Sequence, residues 1–73
     1  MTTAEKLGRV IVELRRQKGV SQEIMSNNVQ ISRKYMSEIE NGKSHPSIEV
    51  LEHIASYFDM TLSELFQKIE QLN

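Results

Sequence analysis

The chain has 73 residues, enough for one small domain near the size at which a hydrophobic core alone can stabilise a fold. It contains no cysteine, which excludes disulfides and cysteine-based zinc sites and leaves well-capped, closely packed helices as the source of stability. The net charge of −1 is the sum of +3 over residues 1–43 (eight Lys or Arg, five Asp or Glu) and −4 over residues 44–73 (one against five), which predicts a polarised surface with one anion-attracting side.

The first two predicted elements are helices. Helix 1 is expected at about residues 4–18, because an apolar stripe recurs there at the helical period and Gly19 follows as a C-terminal cap. The stripe consists of Leu7, Val10, Ile11 and Leu14. Ser21 is the expected N-cap of a short helix 2 with the sequence SQEIMSNN, and the apolar residues there are Ile24, Met25 and Val29.

Helices 3 and 4 are also predicted to begin after serines. Ser32 is the expected N-cap of helix 3, which should end at Asn41-Gly42. Ser47 is the expected N-cap of helix 4, and Asp59 is expected at its end, in a position where glycine is more common. The apolar stripe of helix 4 consists of Ile48, Leu51, Ile54, Ala55 and Phe58.

Helix 5 is predicted at about residues 62–71, because Thr61 and Glu64 form a capping-box pattern at its start. Its apolar stripe continues beyond what a domain of this size needs to bury, which suggests a two-fold dimer. The residues expected at the dimer interface are Tyr57, Phe66, Ile69 and Leu72. The alternative is a frayed C-terminal tail with a few exposed apolar side chains. No segment alternates as a strand does, so the predicted fold class is all-α with five helices.

The segment ISRKYMSEIENG, residues 31–42, carries two faces at the same helical spacing. The apolar face, which we expect to enter a core, consists of Ile31, Tyr35, Met36 and Ile39. The polar face consists of Arg33, Lys34, Ser37, Glu38 and Asn41. Two short helices joined by a tight turn, the second with a polar outward face, describe a helix-turn-helix.

From about residue 7 to residue 66 the chain resembles the Cro/repressor-type helix-turn-helix family of phage and bacterial regulators. The matching motifs are Leu-Arg before Lys-Gly, Ser-Gln-Glu opening helix 2, Ile-Ser-Arg opening helix 3, Ile-Glu-Asn-Gly closing it, and then Pro-Ser. The resemblance implies a single lambda-repressor-like DNA-binding domain over residues 1–73, with the helix-turn-helix at about residues 21–41. In size and layout the chain is most similar to restriction–modification controller proteins, with small phage repressors and antitoxins as close alternatives.

Four positions depart from the family pattern. Val10 and Val12 stand where charged residues are common, and the other two departures lie in the helix-turn-helix. Ser26 stands where alanine is usual, and its hydroxyl needs a hydrogen-bond partner if it is buried. Gln30 stands where glycine is usual in the turn, so either a non-glycine residue adopts a positive φ or the turn differs.

The resemblance implies that helix 3 lies in the major groove of double-stranded DNA. The positions implied to meet base edges are Arg33, Lys34, Ser37 and Glu38. Arg and Lys can donate to guanine, Ser can donate or accept, and Glu38 can accept from cytosine or orient Lys34. The expected phosphate contacts are Gln22, Tyr35, Asn41, Lys43 and Ser44. Arg15 and Glu40 match a pair that in the family joins helix 1 to the end of helix 3; simple exposure of both charges is the alternative.

We therefore predict a sequence-specific transcriptional regulator that binds a roughly palindromic operator as a homodimer. The alternative is a protein-interaction module, an antitoxin or anti-repressor partner, that has kept the fold. No nucleophile–base set, metal-ligand cluster or phosphate-binding glycine loop occurs, so we expect no enzyme activity, no cofactor, no metal and no small-molecule ligand. The N-terminus lacks a signal-peptide pattern and no apolar run could cross a membrane, so the expected location is the cytoplasm.

Overall fold

The computed structural model describes residues 1–72, which form five α-helices and contain no strand. The helices are α1 (Thr3–Lys18), α2 (Gln22–Val29), α3 (Arg33–Glu40), α4 (Ile48–Tyr57) and α5 (Leu62–Gln71). The predicted all-α class is confirmed, and the helix bounds lie within about a residue of those expected. None of these helices is both long and apolar enough to cross a membrane.

Each helix begins with a hydroxyl side chain that accepts from the backbone N–H three residues later. The five N-caps are Thr2, Ser21, Ser32, Ser47 and Thr61. In α1 and α5 the third helical residue, Glu5 or Glu64, also accepts from the cap's own N–H, which completes a capping box. Hydrogen bonds from Thr2 lower the pKa of Glu5, its backbone N–H first and its hydroxyl second. Each cap contributes about 1 kcal/mol, which matters for helices of eight to ten residues.

Four helices are followed, within two residues, by a residue in the left-handed conformation. Gly19 closes α1 at φ 72°, and Gln30 closes α2 at φ 67°. Gly42, two residues after α3, has φ 73°, and Asp59, two residues after α4, has φ 58°. The turn between α2 and α3 therefore keeps the geometry that glycine usually provides, with Gln30 N–H donating to Asn27 and Ile31 N–H donating to Ser26. A side chain in this conformation costs about 1–2 kcal/mol.

The core takes residues from all five helices. Its largest fully buried hydrophobic side chains are Ile11, Met25, Val29, Met36, Ile39, Ile54 and Leu65. Ser26 is buried among them, and its hydroxyl donates to the Glu23 carbonyl over 3.0 Å, so it has the partner that burial requires. Two expected stripe residues are instead exposed, Ile24 at 50% and Ile48 at 64%. Ile48 is the first residue of α4, and Ile24 lies one position away from the face of α2 that Met25 and Val29 bury.

The helix α3 packs against α1 and α2, whereas α5 packs against α1 and α4. The contact between α1 and α3 is made at Gly8, a residue that sequence reasoning did not single out. A Cβ atom at this position would lie 2.8 Å from the Ile39 carbonyl oxygen and closer still to that of Glu40. The backbones therefore meet directly, and any side chain at Gly8 would push the end of α3 away from α1.

Gly8→Ala should lower the free energy of unfolding by about 1–3 kcal/mol, since the added methyl overlaps two carbonyl groups of α3. The expected sign is opposite to that of most glycine-to-alanine changes within helices, which gain roughly 1 kcal/mol. Chemical denaturation followed by circular dichroism measures the change. Gln17→Ala, on the exposed side of α1, is the control and should stay near wild type. A stabilised Gly8→Ala variant would contradict a direct backbone contact.

Gln30→Gly should raise the free energy of unfolding by about 0.5–1 kcal/mol, because it removes left-handed strain but loosens the unfolded chain. The matched control is Asn27→Gly, the same change at a right-handed position of α2, which should destabilise by about 1 kcal/mol. Thermal and urea unfolding of both variants and of the wild type measures these changes in the free energy of unfolding. Equal losses at the two positions would mean that Gln30 carries no strain.

Candidate nucleic-acid interface

The outward face of α3 is the face opposite Met36 and Ile39, which are fully buried. At about 100° per residue, this face carries Lys34, Ser37, Glu38 and Asn41, with Arg33 at its edge. Arg33 and Lys34 are exposed, whereas Ser37 and Glu38 are partly covered. All four predicted base-reading positions therefore lie on one side of a single short helix.

The first turn of α3 is electrostatically unfavourable for the helix itself. Arg33 and Lys34 occupy its first two positions, and no acidic residue stands in that turn. Cations at the positive end of a helix dipole are destabilising, typically by 0.3–1 kcal/mol each at an exposed site. A local arrangement that conflicts with helix stability is commonest at functional sites, and here it concentrates donors where an anionic ligand would be attracted.

Glu38 and Lys34 do not pair. Across residues 1–72 the only ion pair is the one between Arg15 and Glu40. Glu38 therefore does not orient Lys34 in this structure, which was one of its two expected roles. Neither Arg33, Lys34 nor Glu38 makes a side-chain hydrogen bond to another described residue. Their polar groups are free to meet a ligand.

The carboxylate of Glu40 joins three helices at the end of α3. Arg15 Nε donates to Glu40 Oε2 over 2.9 Å, and Arg15 Nη2 donates to Oε1 over 3.3 Å. Gln22 Nε2 donates to the same Oε1 over 3.0 Å, and Arg15 Nη1 donates to the Val20 carbonyl over 3.2 Å. The Glu40 side chain is 7% exposed and that of Arg15 is 20% exposed. This partly buried cluster holds α1, α2 and α3 together.

Gln22 thus has a role in the structure that sequence reasoning missed. It is the first residue of α2, next to the N-cap Ser21, where free N–H groups attract anions. One of its two amide protons is used on Glu40, while its second proton and its oxygen have no described partner. The expected phosphate contact can therefore use the remaining groups only. No pattern in the sequence could have revealed a bond between residues 18 apart.

The other expected phosphate-binding residues lie around the two ends of α3. Tyr35 is half-buried and packs against the core, whereas Lys43 is exposed in the loop after Gly42. Ser44 lines an apolar groove together with Pro46. Asn41 Nδ2 donates to the Ser37 carbonyl over 2.9 Å, so part of its amide is engaged within α3.

The four residues expected at a dimer interface do not form one patch. Ile69 was expected at the interface, but it is only 4% exposed. It belongs to the core of its own chain, because its side of α5 packs onto α1 and α4. Phe66 is 38% exposed and borders an apolar groove with Thr3, Ala4, Leu7, Pro46 and Leu51. Leu72 lies in a different groove against α1. Tyr57 is covered by Lys18, whose ammonium lies 4.8 Å from the ring centroid.

The described residues contain no cluster of three or more His, Asp or Glu side chains that could hold a metal ion. His45 and His53 line separate grooves.

Comparisons with known proteins agree on the family. A family model described as a helix-turn-helix domain matches residues 8–71. Control protein C.MunI from Mycoplasma sp is 40% identical over 67 residues, which cover 90% of this chain and 90% of that protein. The HTH-type transcriptional regulator DdrOP3 from Deinococcus deserti is 34% identical over 65 residues, which cover 89% of this chain. This chain spans only half of the length of DdrOP3.

Among solved structures, the restriction-modification controller protein C.AhdI from Aeromonas hydrophila has a TM-score of 0.81 and 32% sequence identity to this chain. The match covers 86% of this chain and 96% of C.AhdI. The helix arrangement described above is therefore shared along nearly the whole of that protein.

Removing either partner of the Arg15–Glu40 pair should destabilise the fold by about 2 kcal/mol, between the values for exposed and for buried pairs. A double-mutant cycle of Arg15→Ala and Glu40→Ala should give a coupling free energy above about 1 kcal/mol. Urea denaturation supplies all four stabilities. The control is Arg16→Ala, the exposed neighbour on α1, which should change little. Additive losses would mean that the two charges do not cooperate.

Proposed function

This chain belongs to the helix-turn-helix domain family, and from that premise we propose that it is a sequence-specific, DNA-binding regulator of transcription. The relatives named as a control protein and as a transcriptional regulator support this role. The observation that carries it is the outward face of α3, where unpaired Arg33 and Lys34 stand at the start of a helix that is clamped at its other end. We propose the cytoplasm as the place where it meets DNA.

We propose that α3 enters the major groove and that four of its side chains contact base edges. Arg33 and Lys34 donate to guanine O6 or N7, and a good bidentate contact discriminates against the wrong base by about 1–3 kcal/mol. Glu38 accepts from a cytosine amino group, since it has no cation beside it to neutralise it. Ser37 contacts a base between those that Arg33 and Glu38 contact.

Phosphate contacts position the protein without reading sequence. We propose that Lys43 is the strongest of them, because it is the exposed cation in the loop that follows α3. Gln22 contributes its free amide proton at the start of α2. Tyr35, Asn41 and Ser44 supply neutral donors at the edges of the same surface.

We propose that the protein acts as a homodimer on a roughly palindromic operator. Phe66 supplies the exposed apolar side chain of α5 for the contact, and the partly buried Leu72, just after α5, lies in a separate groove against α1. A two-fold dimer places two copies of α3 about one turn of DNA apart. The size match to C.MunI and C.AhdI supports a controller-like role for this chain.

A second candidate is a protein-interaction module that keeps the fold. The apolar groove beside Phe66 favours it, because a partner helix could bury that surface. Salt distinguishes the two candidates. Binding to phosphates weakens with the logarithm of the salt concentration, at a slope of about −0.9 per contact, whereas apolar association hardly responds.

Selection of duplexes from a random DNA pool at near-physiological salt should enrich a two-fold symmetric site with half-sites about one helical turn apart. Arg33→Ala should relax one position in each half-site by about 1–3 kcal/mol. Lys43→Ala should instead weaken binding to every sequence and reduce the salt slope by about 1 per subunit. The control is Lys68→Ala, the one cation of the acidic half, which should leave both the site and the slope unchanged.

Failure to enrich any sequence with a folded protein would refute DNA reading and favour the interaction module. Enrichment of a single, non-symmetric half-site would refute the dimer but leave sequence reading intact.

A further inference from the structure

Ser37 and Asn41 stand on successive turns of the outward face and are bonded to each other. Asn41 Nδ2 donates to the Ser37 carbonyl oxygen over 2.9 Å and to the Ser37 Oγ over 3.4 Å. The shorter bond sets where the amide lies, and the longer, weaker one places an N–H beside the hydroxyl oxygen. Asn41 is exposed and Ser37 is only partly covered, so the pair lies at the surface of α3.

The hydroxyl of Ser37 has one proton to donate and two lone pairs to accept with. Serines inside helices commonly donate to the carbonyl of the preceding turn, as Ser26 does to Glu23 over 3.0 Å. Ser37 donates to no acceptor within residues 1–72, while one of its lone pairs accepts from Asn41. The proton of Ser37 is therefore uncommitted, and the amide N–H beside the oxygen disfavours a second donor there.

Given the proposed DNA-reading function, on which this inference rests, we infer that Asn41 is a positioning residue that makes Ser37 a hydrogen-bond donor towards the bases. A serine hydroxyl can ordinarily donate or accept and so discriminates poorly between base edges. Fixing it as a donor removes that ambiguity. The base that Ser37 contacts must then present an acceptor in the major groove.

The major groove offers acceptors at guanine O6 and N7, adenine N7 and thymine O4, whereas the cytosine amino group is a donor. At the base contacted by Ser37, cytosine is therefore the disfavoured choice. Glu38, the next residue, is an acceptor and has the opposite preference. Adjacent positions of α3 would thus present a hydrogen-bond donor and a hydrogen-bond acceptor to the DNA. This difference would let a short helix distinguish more base sequences.

Asn41→Asp reverses the polarity of the pair. A carboxylate cannot donate, so the bond to the Ser37 carbonyl oxygen is lost, and the new side chain can only accept the Ser37 proton, which leaves the lone pairs of Ser37 towards the bases. Selection from a random pool should then show the position moving from an acceptor-bearing base towards cytosine, which presents only a donor in the major groove. Asn41→Ala removes the constraint without reversing it and should relax the position by about threefold to tenfold, the value of one hydrogen bond.

The matched controls carry Ser37→Ala, alone and combined with each Asn41 variant. Ser37→Ala should relax the same single position, and in its background neither Asn41 variant should alter the preference further. Asn41 has φ −90°, so neither substitution adds backbone strain, and thermal unfolding verifies that each variant folds. The negative charge of Asn41→Asp should weaken binding to all sequences equally, which leaves the relative preferences interpretable.

Three outcomes overturn the inference in distinguishable ways. If wild-type protein enriches no sequence, the proposed function itself fails. If a site is enriched but Ser37→Ala changes no position, the function stands and Ser37 is not a reader. If Ser37→Ala relaxes a position that both Asn41 variants leave unchanged, Ser37 reads without help from Asn41. A reversal in Asn41→Asp that disappears in the Ser37→Ala background supports the inference.

Discussion

The placement of α3 depends on one carboxylate. An isolated helix of eight residues is not stable in water, so the outward face of α3 exists only because the rest of the chain holds this helix in place. Glu40 binds Arg15 from α1 and Gln22 from α2, and Gly8 lets the backbone of α1 meet that of α3 at the same end. All of this support lies at the C-terminal end, which leaves the N-terminal turn with Arg33 and Lys34 free to approach a ligand.

The charges of the chain follow the same division. Residues 1–43, which include α1 to α3, hold a balance of +3, while residues 44–73, which include α4 and α5, hold one Lys against five Asp or Glu, a balance of −4. Under the proposed DNA binding, this polarity would favour an approach with α1 to α3 towards the polyanion. The net charge of −1 conceals the division, because it is the sum of +3 and −4 over the two parts of the sequence.

Features that depend on neighbouring residues were predictable from the sequence. The N-caps Ser21, Ser32 and Ser47, the capping box at Thr61 and the left-handed residue Asp59 follow from local backbone chemistry, and so do the helix bounds, whereas the N-cap Thr2 was not predicted. The outward face of α3 was also predictable. Its apolar and its polar residues each recur at the helical period, so they fall on opposite sides of the helix. Gln30 required the structure to choose between two turn geometries.

Features that depend on contacts between helices were not predictable. Gly8 looks like any small residue in a stripe until α3 is seen to press on it. Ile69 and Phe66 belong to the same apolar pattern, and only the positions of α1 and α4 determine which of them is buried. Gln22 likewise has an ordinary first-turn sequence, and its bond to Glu40 depends on how α2 crosses α3.

The side chains of Arg33, Lys34 and Glu38 make no hydrogen bond to the rest of the described chain, so their identities are nearly independent of the fold that presents them. Under the proposed function, substitutions at these three positions would change recognition with little loss of stability, whereas Gly8 and Glu40 contact other helices directly. The base preference and the scaffold would then be able to vary independently. For protein engineering, the same separation makes α3 a natural place to retarget the molecule without redesigning its core.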